Sequence, residues 1–153
     1  MDRRQFLGLS LVGVSFLAVC PALAQSSTAK IFTGLVPGTA VGGYDAVAYF
    51  TQGEAVKGDA GITLDYQGAT WRFSSAENKA MFEANPEKYA PQYGGHCAFA
   101  AAKGYLAKGD PETWHIEDGK LYLNFNKQVQ QMWFQDIPGY IKAANANWPG
   151  LSK

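Results

Sequence analysis

Two stretches of the chain alternate apolar and polar residues on both sides of a two-residue turn, and each stretch predicts a β-hairpin. The turns are Gln67-Gly68 and Asp118-Gly119, and an Asp-Gly pair is a strong signal for a type I′ turn. Because strand side chains point alternately to opposite faces, His115 falls on the face opposite the apolar residues of its strand. The predicted arms are residues 62–66 and 69–73 in the first hairpin, and residues 113–117 and 120–124 in the second.

Apolar residues at helical spacing follow each hairpin and predict helices there. Ser74 and Glu77 form an S-x-x-E capping box that would open the first helix, and Pro86 would start a further helical turn. After the second hairpin, Asn126 can cap a helix and Pro138 can start the last one. Hairpins and helices mix without a βαβ pattern. The sequence therefore predicts a small single α+β domain with two β-hairpins packed against short helices.

The segment before the first hairpin is less regular. Residues 44–50 lie among glycines and predict a strand or an extended turn. Residues 25–39 begin with a short Ser-Ser-Thr run, which predicts a flexible N-terminal segment. We therefore expect the folded domain to span residues 40–150. No internal repeat is apparent in the sequence.

The first 24 residues have the pattern of an export signal. Arg3 and Arg4 precede an uncharged stretch from Leu7 to Cys20, and Ala22-Leu23-Ala24 matches an A-x-A cleavage site. The paired arginines favour the twin-arginine (Tat) route. The apolar stretch is too short to span a bilayer comfortably, so no stable membrane insertion is expected after cleavage. The sequence predicts a mature protein in the periplasm or otherwise exported.

Charge and size narrow the class of protein. The chain has 13 basic and 13 acidic residues, and removal of residues 1–24 would leave 11 and 12. No basic field exists to hold nucleic acid or anionic lipid. The 129 residues that remain after cleavage suit one domain with a core that needs no disulfide.

Cys97 is the one cysteine expected in the mature chain, and it carries the most specific chemistry. It follows Gly94-Gly95 and precedes an alanine-rich run that reads as a helix. A thiol at a helix N-terminus feels the positive end of the helix dipole, which favours the thiolate. The thiolate binds soft metals and attacks disulfides, so Cys97 is the principal candidate for a functional residue.

A metal site would need further donors. His96 and His115 would add two nitrogens to the sulfur of Cys97, and Asp45 is an acceptor that could orient His96 or face the metal from outside the ligand set. Copper is preferred and zinc is the runner-up, because a closed structural zinc site needs four ligands. Each residue also has a plain structural interpretation: a buried small side chain for Cys97, a space-filling ring for His96, a solvent-facing strand residue for His115 and a turn cap for Asp45.

Several ordered motifs resemble those of exported YHS-domain proteins. This resemblance implies a small α+β domain related to heavy-metal-binding cysteine modules of the TRASH type. Family members often read G-G-Y-C-A, whereas His96 stands at the tyrosine position here. The matching motifs are Gly43-Tyr44-Asp45-Ala46-Val47-Ala48-Tyr49-Phe50, the stretch from Trp71 through Asn85-Pro86 to Gly94-Gly95 and Cys97-Ala98, Asp118 to Asn124, Asp136 to Gly139, and Asn147-Trp148-Pro149.

Catalytic signals are weak, so the sequence does not favour an enzyme. There is no C-x-x-C pair, phosphate loop or dinucleotide fingerprint. Three hypotheses remain open. The first is a periplasmic protein that binds or handles a soft metal ion, copper first, through Cys97. The second is a structural or partner-binding domain with Cys97 buried and a recognition surface of tyrosines and tryptophans, its partner an unidentified periplasmic protein. The third is a thiol-dependent enzyme or redox sensor.

Overall fold

A computed structural model describes residues 31–153 of the chain. The predicted signal peptide, its cleavage site and the start of the predicted flexible segment lie outside these residues. Within the described part, six α-helices accompany two separate two-stranded antiparallel sheets, and the α+β prediction is confirmed. No helix among residues 31–153 has both the length and the apolar character to cross a membrane. The strands are β1 (Asp59–Tyr66), β2 (Ala69–Phe73), β3 (Asp110–Glu117) and β4 (Lys120–Asn124); the helices are α1 (Ala48–Thr51), α2 (Ala76–Ala84), α3 (Pro86–Tyr89), α4 (Ala98–Ala102), α5 (Lys127–Trp133) and α6 (Ile137–Leu151).

Both hairpins form where the alternation predicts them, and both begin three residues earlier than predicted. In each sheet the register shifts once near the start of the first strand, between Asp59 and Thr63 in β1 and between Asp110 and Trp114 in β3. A bulge of this kind lets a strand bend and continue past the regular alternation. The alternation of apolar and polar residues is interrupted at the bulge, so the sequence predicts both strands to be shorter than they are.

Two local predictions are wrong. The predicted strand or extended turn at residues 44–50 is instead a turn followed by helix α1. The predicted cap Ser74 is one residue too early, because Ser75 is the N-cap of α2 and its side chain accepts from the backbone N–H of Asn78. Ser74 instead donates its hydroxyl to Asp45. The predicted cap at Asn126 and the predicted helix start at Pro86 are confirmed, and α6 begins at Ile137, one residue before the predicted Pro138.

The chain contains one structural unit twice, so the expectation of no internal repeat is wrong. A first copy (residues 40–89) and a second copy (residues 92–140) each run through a 3₁₀ turn, a short helix, a hairpin and a capped helix. The 3₁₀ turns have the same unusual backbone, with φ of 52° and 58° at Val41 and Gly42 and of 57° and 62° at Tyr93 and Gly94. Both hairpins have strands of eight and five residues.

Hydrogen bonds repeat in the same way. The backbone N–H of Asp45 donates to the carbonyl oxygen of Val56 at 2.8 Å, and that of Cys97 donates to Ala107 at 2.9 Å. The N-caps Ser75 and Asn126 each accept from the residue three positions on. Equivalent positions lie 51 or 52 residues apart, which makes Cys97 the counterpart of Asp45.

The core consists of two clusters that do not coincide with the two copies. The first surrounds Trp71, Phe73 and Phe82 of the first copy, and it also contains Leu121 and Leu123 from β4. The second cluster lies between α4, the other face of β4 and α6, and includes Trp133. The two hairpins and the helices between them therefore pack as one body, as the single-domain prediction requires.

Candidate functional site

Asp45 is fully buried and tied to the backbone around it. Its Oδ1 accepts the N–H groups of Val47 at 2.9 Å and Ala48 at 3.3 Å, in the manner of a turn cap. Its Oδ2 accepts from the N–H and the hydroxyl of Ser74 at 2.8 and 2.6 Å, and from Asn78 Nδ2 at 2.8 Å. Both carboxylate oxygens are thus occupied by donors of the first copy, as the turn-cap interpretation of Asp45 expects.

Cys97 is a free cysteine with 1% of its surface exposed. It is the N-cap residue of α4, so the predicted position at a helix start is confirmed. Burial raises the pKa of its thiol above the usual value, and the backbone N–H groups of Ala100, Phe125 and Phe99 offset part of this rise. The predicted preference for the thiolate is therefore outweighed by desolvation.

A small cavity and a buried amide flank the sulfur. Cys97 Sγ lies 3.6 Å from Asn124 Oδ1, and that oxygen also accepts the N–H of Phe99 at 3.2 Å. On its other side, Cys97 lines a cavity of about 250 Å³. The other lining residues are Ala100, Tyr105, Ala107, Phe125 and Val129.

The two histidines lie in aromatic surroundings. The ring of His96 is 6% exposed and packs against Phe32 and Trp148, with ring centroids 5.3 and 5.9 Å apart. His115 Nε2 lies 2.8 Å from a carboxylate oxygen of Glu117 on the same strand, and its ring packs edge-on against Trp133 at 5.6 Å. His115 therefore packs against aromatic rings while 31% of its side chain stays exposed.

The donor set proposed for a metal does not fit a closed site. Within residues 31–153, no three histidine, cysteine or acidic side chains lie close enough together to hold a metal ion. Asp45 accepts hydrogen bonds with both oxygens from groups of the first copy, and burial raises the pKa of the Cys97 thiol, which disfavours the thiolate that a metal would need. The assignment of His96, Cys97, His115 and Asp45 to one metal site therefore stays a prediction without geometric support.

A separate cleft of about 420 Å³ lies between the two copies, and we call it the inter-copy cleft. The sequence predicted a recognition surface of tyrosines and tryptophans without placing it. Burial raises the pKa of Tyr66 in this cleft, and the nearby charge of Glu87 raises it further. The lining residues are Ile31, Tyr66, Gln67, Glu87, Ala90, Pro91, Gln92, Tyr93, Gly94, Asn145, Trp148 and Pro149.

Sequence reasoning missed three side chains that organise these sites: Ser74, Asn78 and Asn124. Each is a polar residue beside a predicted hairpin end or helix start, where a cap or a turn residue is the ordinary interpretation. One signal in the sequence points to the repeated unit in which these residues lie. The triplet Lys57-Gly58-Asp59 recurs as Lys108-Gly109-Asp110 at a spacing of 51 residues, with a Gly-Gly pair upstream of each.

The YHS domain family model matches residues 47–93. The chain therefore carries a YHS domain, and the resemblance inferred from its motifs is confirmed over these residues. The match covers most of the first copy and ends at the 3₁₀ turn that opens the second. Asp45 and Cys97 both lie outside the matched residues. No curated protein and no solved structure matches the chain.

Proposed function

We propose that this YHS-domain protein is an exported, non-catalytic binding domain that recognises an organic cation in the inter-copy cleft. The observation that carries the proposal is the composition of the cleft walls. Among the residues that line the cleft in the described part of the chain, Glu87 is the one that carries a charge. An acidic group beside the aromatic rings of Tyr66 and Trp148 suits an alkylammonium or guanidinium group, which is attracted both to the carboxylate and to ring faces.

One wall of the cleft is held in place before any ligand arrives. The hydroxyl of Tyr93 donates to Asn145 Oδ1 at 2.9 Å, and the ring of Trp148 packs edge-on against Tyr93 at 5.7 Å. Elsewhere in the lining, Gln67 Nε2 donates to the hydroxyl of Tyr66 at 3.1 Å. Side chains fixed in this way lose little conformational entropy when a ligand binds.

Two sources could supply the cation. A volume of about 420 Å³ accommodates a small amine, and it also accommodates one lysine or arginine side chain of a partner protein. The chemistry of recognition is the same in both cases. A partner would add contacts on the rim, so a partner would bind much more tightly than the isolated amine.

The test is a titration of the mature protein with choline and with N-acetyl-argininamide, followed through the NMR signal of the Trp148 indole. Glu87→Gln should weaken binding about 10-fold, because it removes the charge that complements the ligand. Glu83→Gln is the matched control: Glu83 is also exposed and lies on α2, outside the cleft lining. Equal loss in both variants, or no response to either cation, would contradict the proposal.

Copper binding at Cys97 is the second candidate. It is favoured by the YHS match, through the relation to metal-binding modules that the resemblance implies, and by the cavity that Cys97 lines. The ion would need another soft donor from a partner or a ligand. A Cys97→Ser variant and wild type should take up equally little copper(I) if the cation-binding proposal is right. Uptake of one ion that depends on Cys97 would favour copper.

Export is part of the proposal and rests on the N-terminal signal. The expected result is a periplasmic protein that begins at Gln25. N-terminal sequencing of the cell fractions checks this, and Arg3→Lys with Arg4→Lys should retain the precursor in the cytoplasm. Normal export of that double variant would contradict the Tat route.

A further inference from the structure

The cavity beside Cys97 has apolar walls and is open to solvent on one side. Cys97 and Ala100 are its buried lining residues. Tyr105 and Phe125 are its exposed ones, with 54% and 40% of their surface accessible, and two half-buried aliphatic side chains complete the lining. None of these described residues carries a charge at neutral pH. The cavity is therefore an apolar space whose mouth lies at the two aromatic rings.

The corresponding position of the first copy is filled by polar side chains. The hydroxyl of Ser74 and Nδ2 of Asn78 donate to the buried carboxylate of Asp45 at 2.6 and 2.8 Å. Their counterparts in the second copy are Phe125 and Val129, which have no polar group that could form such bonds. The second copy thus holds apolar space where the first copy holds a hydrogen-bonded network.

The size of the cavity selects a small ligand. Its volume of about 250 Å³ exceeds the roughly 150 Å³ at which an apolar protein cavity already binds benzene. It lies below the range of about 300–1,000 Å³ that is typical of pockets for drug-sized molecules. An apolar group gains free energy when it leaves water for walls of this kind. The cavity therefore suits one aromatic ring, or a branched aliphatic chain of similar volume.

A cation lies at the mouth of this cavity. Lys108 Nζ stands 5.1 Å from the centre of the Phe125 ring, and Lys108 directly follows the lining residue Ala107. Within residues 31–153 the one side-chain ion pair joins His115 to Glu117, so none of the described carboxylates is paired with Lys108. A carboxylate on a ligand in the cavity would meet this ammonium group and form a charge-assisted hydrogen bond, which is stronger than a neutral one.

We propose that this cavity is a second binding site, separate from the inter-copy cleft, and that it takes a small apolar carboxylate. The apolar part of the ligand fills the space beside Ala100 and Val129, and its carboxylate lies at the mouth against the ammonium group of Lys108. The charge preference is opposite to that of the inter-copy cleft, where Glu87 supplies a negative charge. The two sites therefore take different ligands.

The first test titrates the mature protein with phenylacetate and with phenylacetamide, its neutral isostere, and follows the NMR methyl signals of Ala100 and Ala107. Phenylacetate should bind with a dissociation constant below about 10 mM, as expected for an apolar ligand of this size. It should bind about 5-fold more tightly than the amide, because the acid alone carries a charge for Lys108. Equal affinities would indicate an uncharged apolar occupant, and they overturn the proposal, as does the absence of any response.

The second test removes the cation. Lys108→Gln should weaken phenylacetate binding about 5-fold and leave phenylacetamide binding unchanged. Lys57→Gln is the matched control, because Lys57 is the counterpart of Lys108 in the first copy and is likewise exposed. It should leave both affinities unchanged. An equal loss in the two variants would mean that the ligand senses only the net charge of the protein, which overturns the proposal.

The third test fills the cavity. Val129→Phe places a ring in the apolar space and should abolish the binding of both the acid and the amide. Binding that persists in this variant overturns the proposal. If the variant does not fold, the comparison of Lys108→Gln with Lys57→Gln decides, because both positions are exposed. The cation titration of the inter-copy cleft uses a ligand of opposite charge and the signal of Trp148, so its outcome is independent.

Discussion

Tyr49 of the first copy donates its hydroxyl to the carbonyl oxygen of Pro111 in the second copy at 2.8 Å. Both groups are buried, and they lie 62 positions apart in the chain. A neighbouring pair, Tyr44 and Glu112, is joined in the same way at the surface by a bond of 2.9 Å. Two tyrosine hydroxyls, one buried and one exposed, therefore hydrogen-bond the start of the first copy to the second hairpin.

This arrangement predicts unequal effects of two equivalent substitutions. Tyr49→Phe leaves the carbonyl oxygen of Pro111 buried without its donor, and we expect the free energy of unfolding to fall by about 2 kcal/mol. Tyr44→Phe, the matched control, removes an exposed bond and should cost less than about 0.5 kcal/mol. Urea unfolding of the two variants checks the difference. Equal costs would mean that the bond to Pro111 is not the stabilising interaction.

Buried tyrosines also predict a loss of stability in alkali. Burial raises the pKa of Tyr49 and of Tyr93 well above the ordinary value of 10.0. Below pH 10 both states keep the phenol protons, so the stabilisation is complete. Above pH 10 the unfolded chain releases protons that the folded chain retains, so the free energy of unfolding should fall as pH rises. Tyr49→Phe should make this decline shallower, and melting temperatures measured from pH 8 upward check it.

Asp45 should be one of the most sensitive positions in the chain. In Asp45→Asn, one oxygen becomes an NH₂ group that faces other donors, so we expect a loss of about 3 kcal/mol in unfolding free energy. The control is Asp65→Asn, because Asp65 is exposed and accepts one hydrogen bond, from Thr70 at 2.9 Å. It should change stability by less than about 0.5 kcal/mol. The measurement is the denaturant midpoint of each variant, and equal midpoints would contradict the prediction.

Two glycines predict opposite outcomes for the same substitution. A Cβ on Gly109 would collide with the carbonyl oxygen of Gly95 and would lie 2.9 Å from the Cβ of Leu123. Gly109→Ala should therefore destabilise the protein by about 3 kcal/mol. Gly150 lies in α6, and a Cβ added there would meet nothing within 4 Å, so Gly150→Ala should be neutral or add up to about 1 kcal/mol. Thermal melts of both variants settle the sign.

The local elements could be predicted because their signals are short-range. Gln67-Gly68 and Asp118-Gly119 fix the two hairpins, and Asn126 and Pro138 mark helix starts that the structure contains. The predicted cap at Ser74 is wrong because Ser74 interacts with a residue that is distant in the sequence. Asp45 accepts a hydrogen bond from the hydroxyl of Ser74, and the next residue, Ser75, caps the helix instead.

The candidate sites could be predicted only in part, because the role of each residue depends on the distant residues that pack around it. The sequence identified Cys97 and Asp45 as unusual residues, but the Gly-Gly-x-x-Ala-x-Ala frame that they share, at residues 94–100 and 42–48, is too short to establish by itself that they occupy the same position of two copies. The copies share backbone geometry more than side chains, since Ser74 and Asn78 correspond to Phe125 and Val129. The repeated Lys-Gly-Asp triplet and Gly-Gly pair are short signals, and the matching φ angles and strand registers show the duplication much more clearly.

Leu121 and Leu123 fill the interior beside Trp71, although they come from the second copy. The boundary between the two copies is consequently not a boundary between two units that fold independently. A polypeptide cut after Tyr93 would keep the entire span matched by the family model yet lack two of its innermost side chains. It would behave as one half of a split protein, gaining its native shape only when the complementary fragment is supplied.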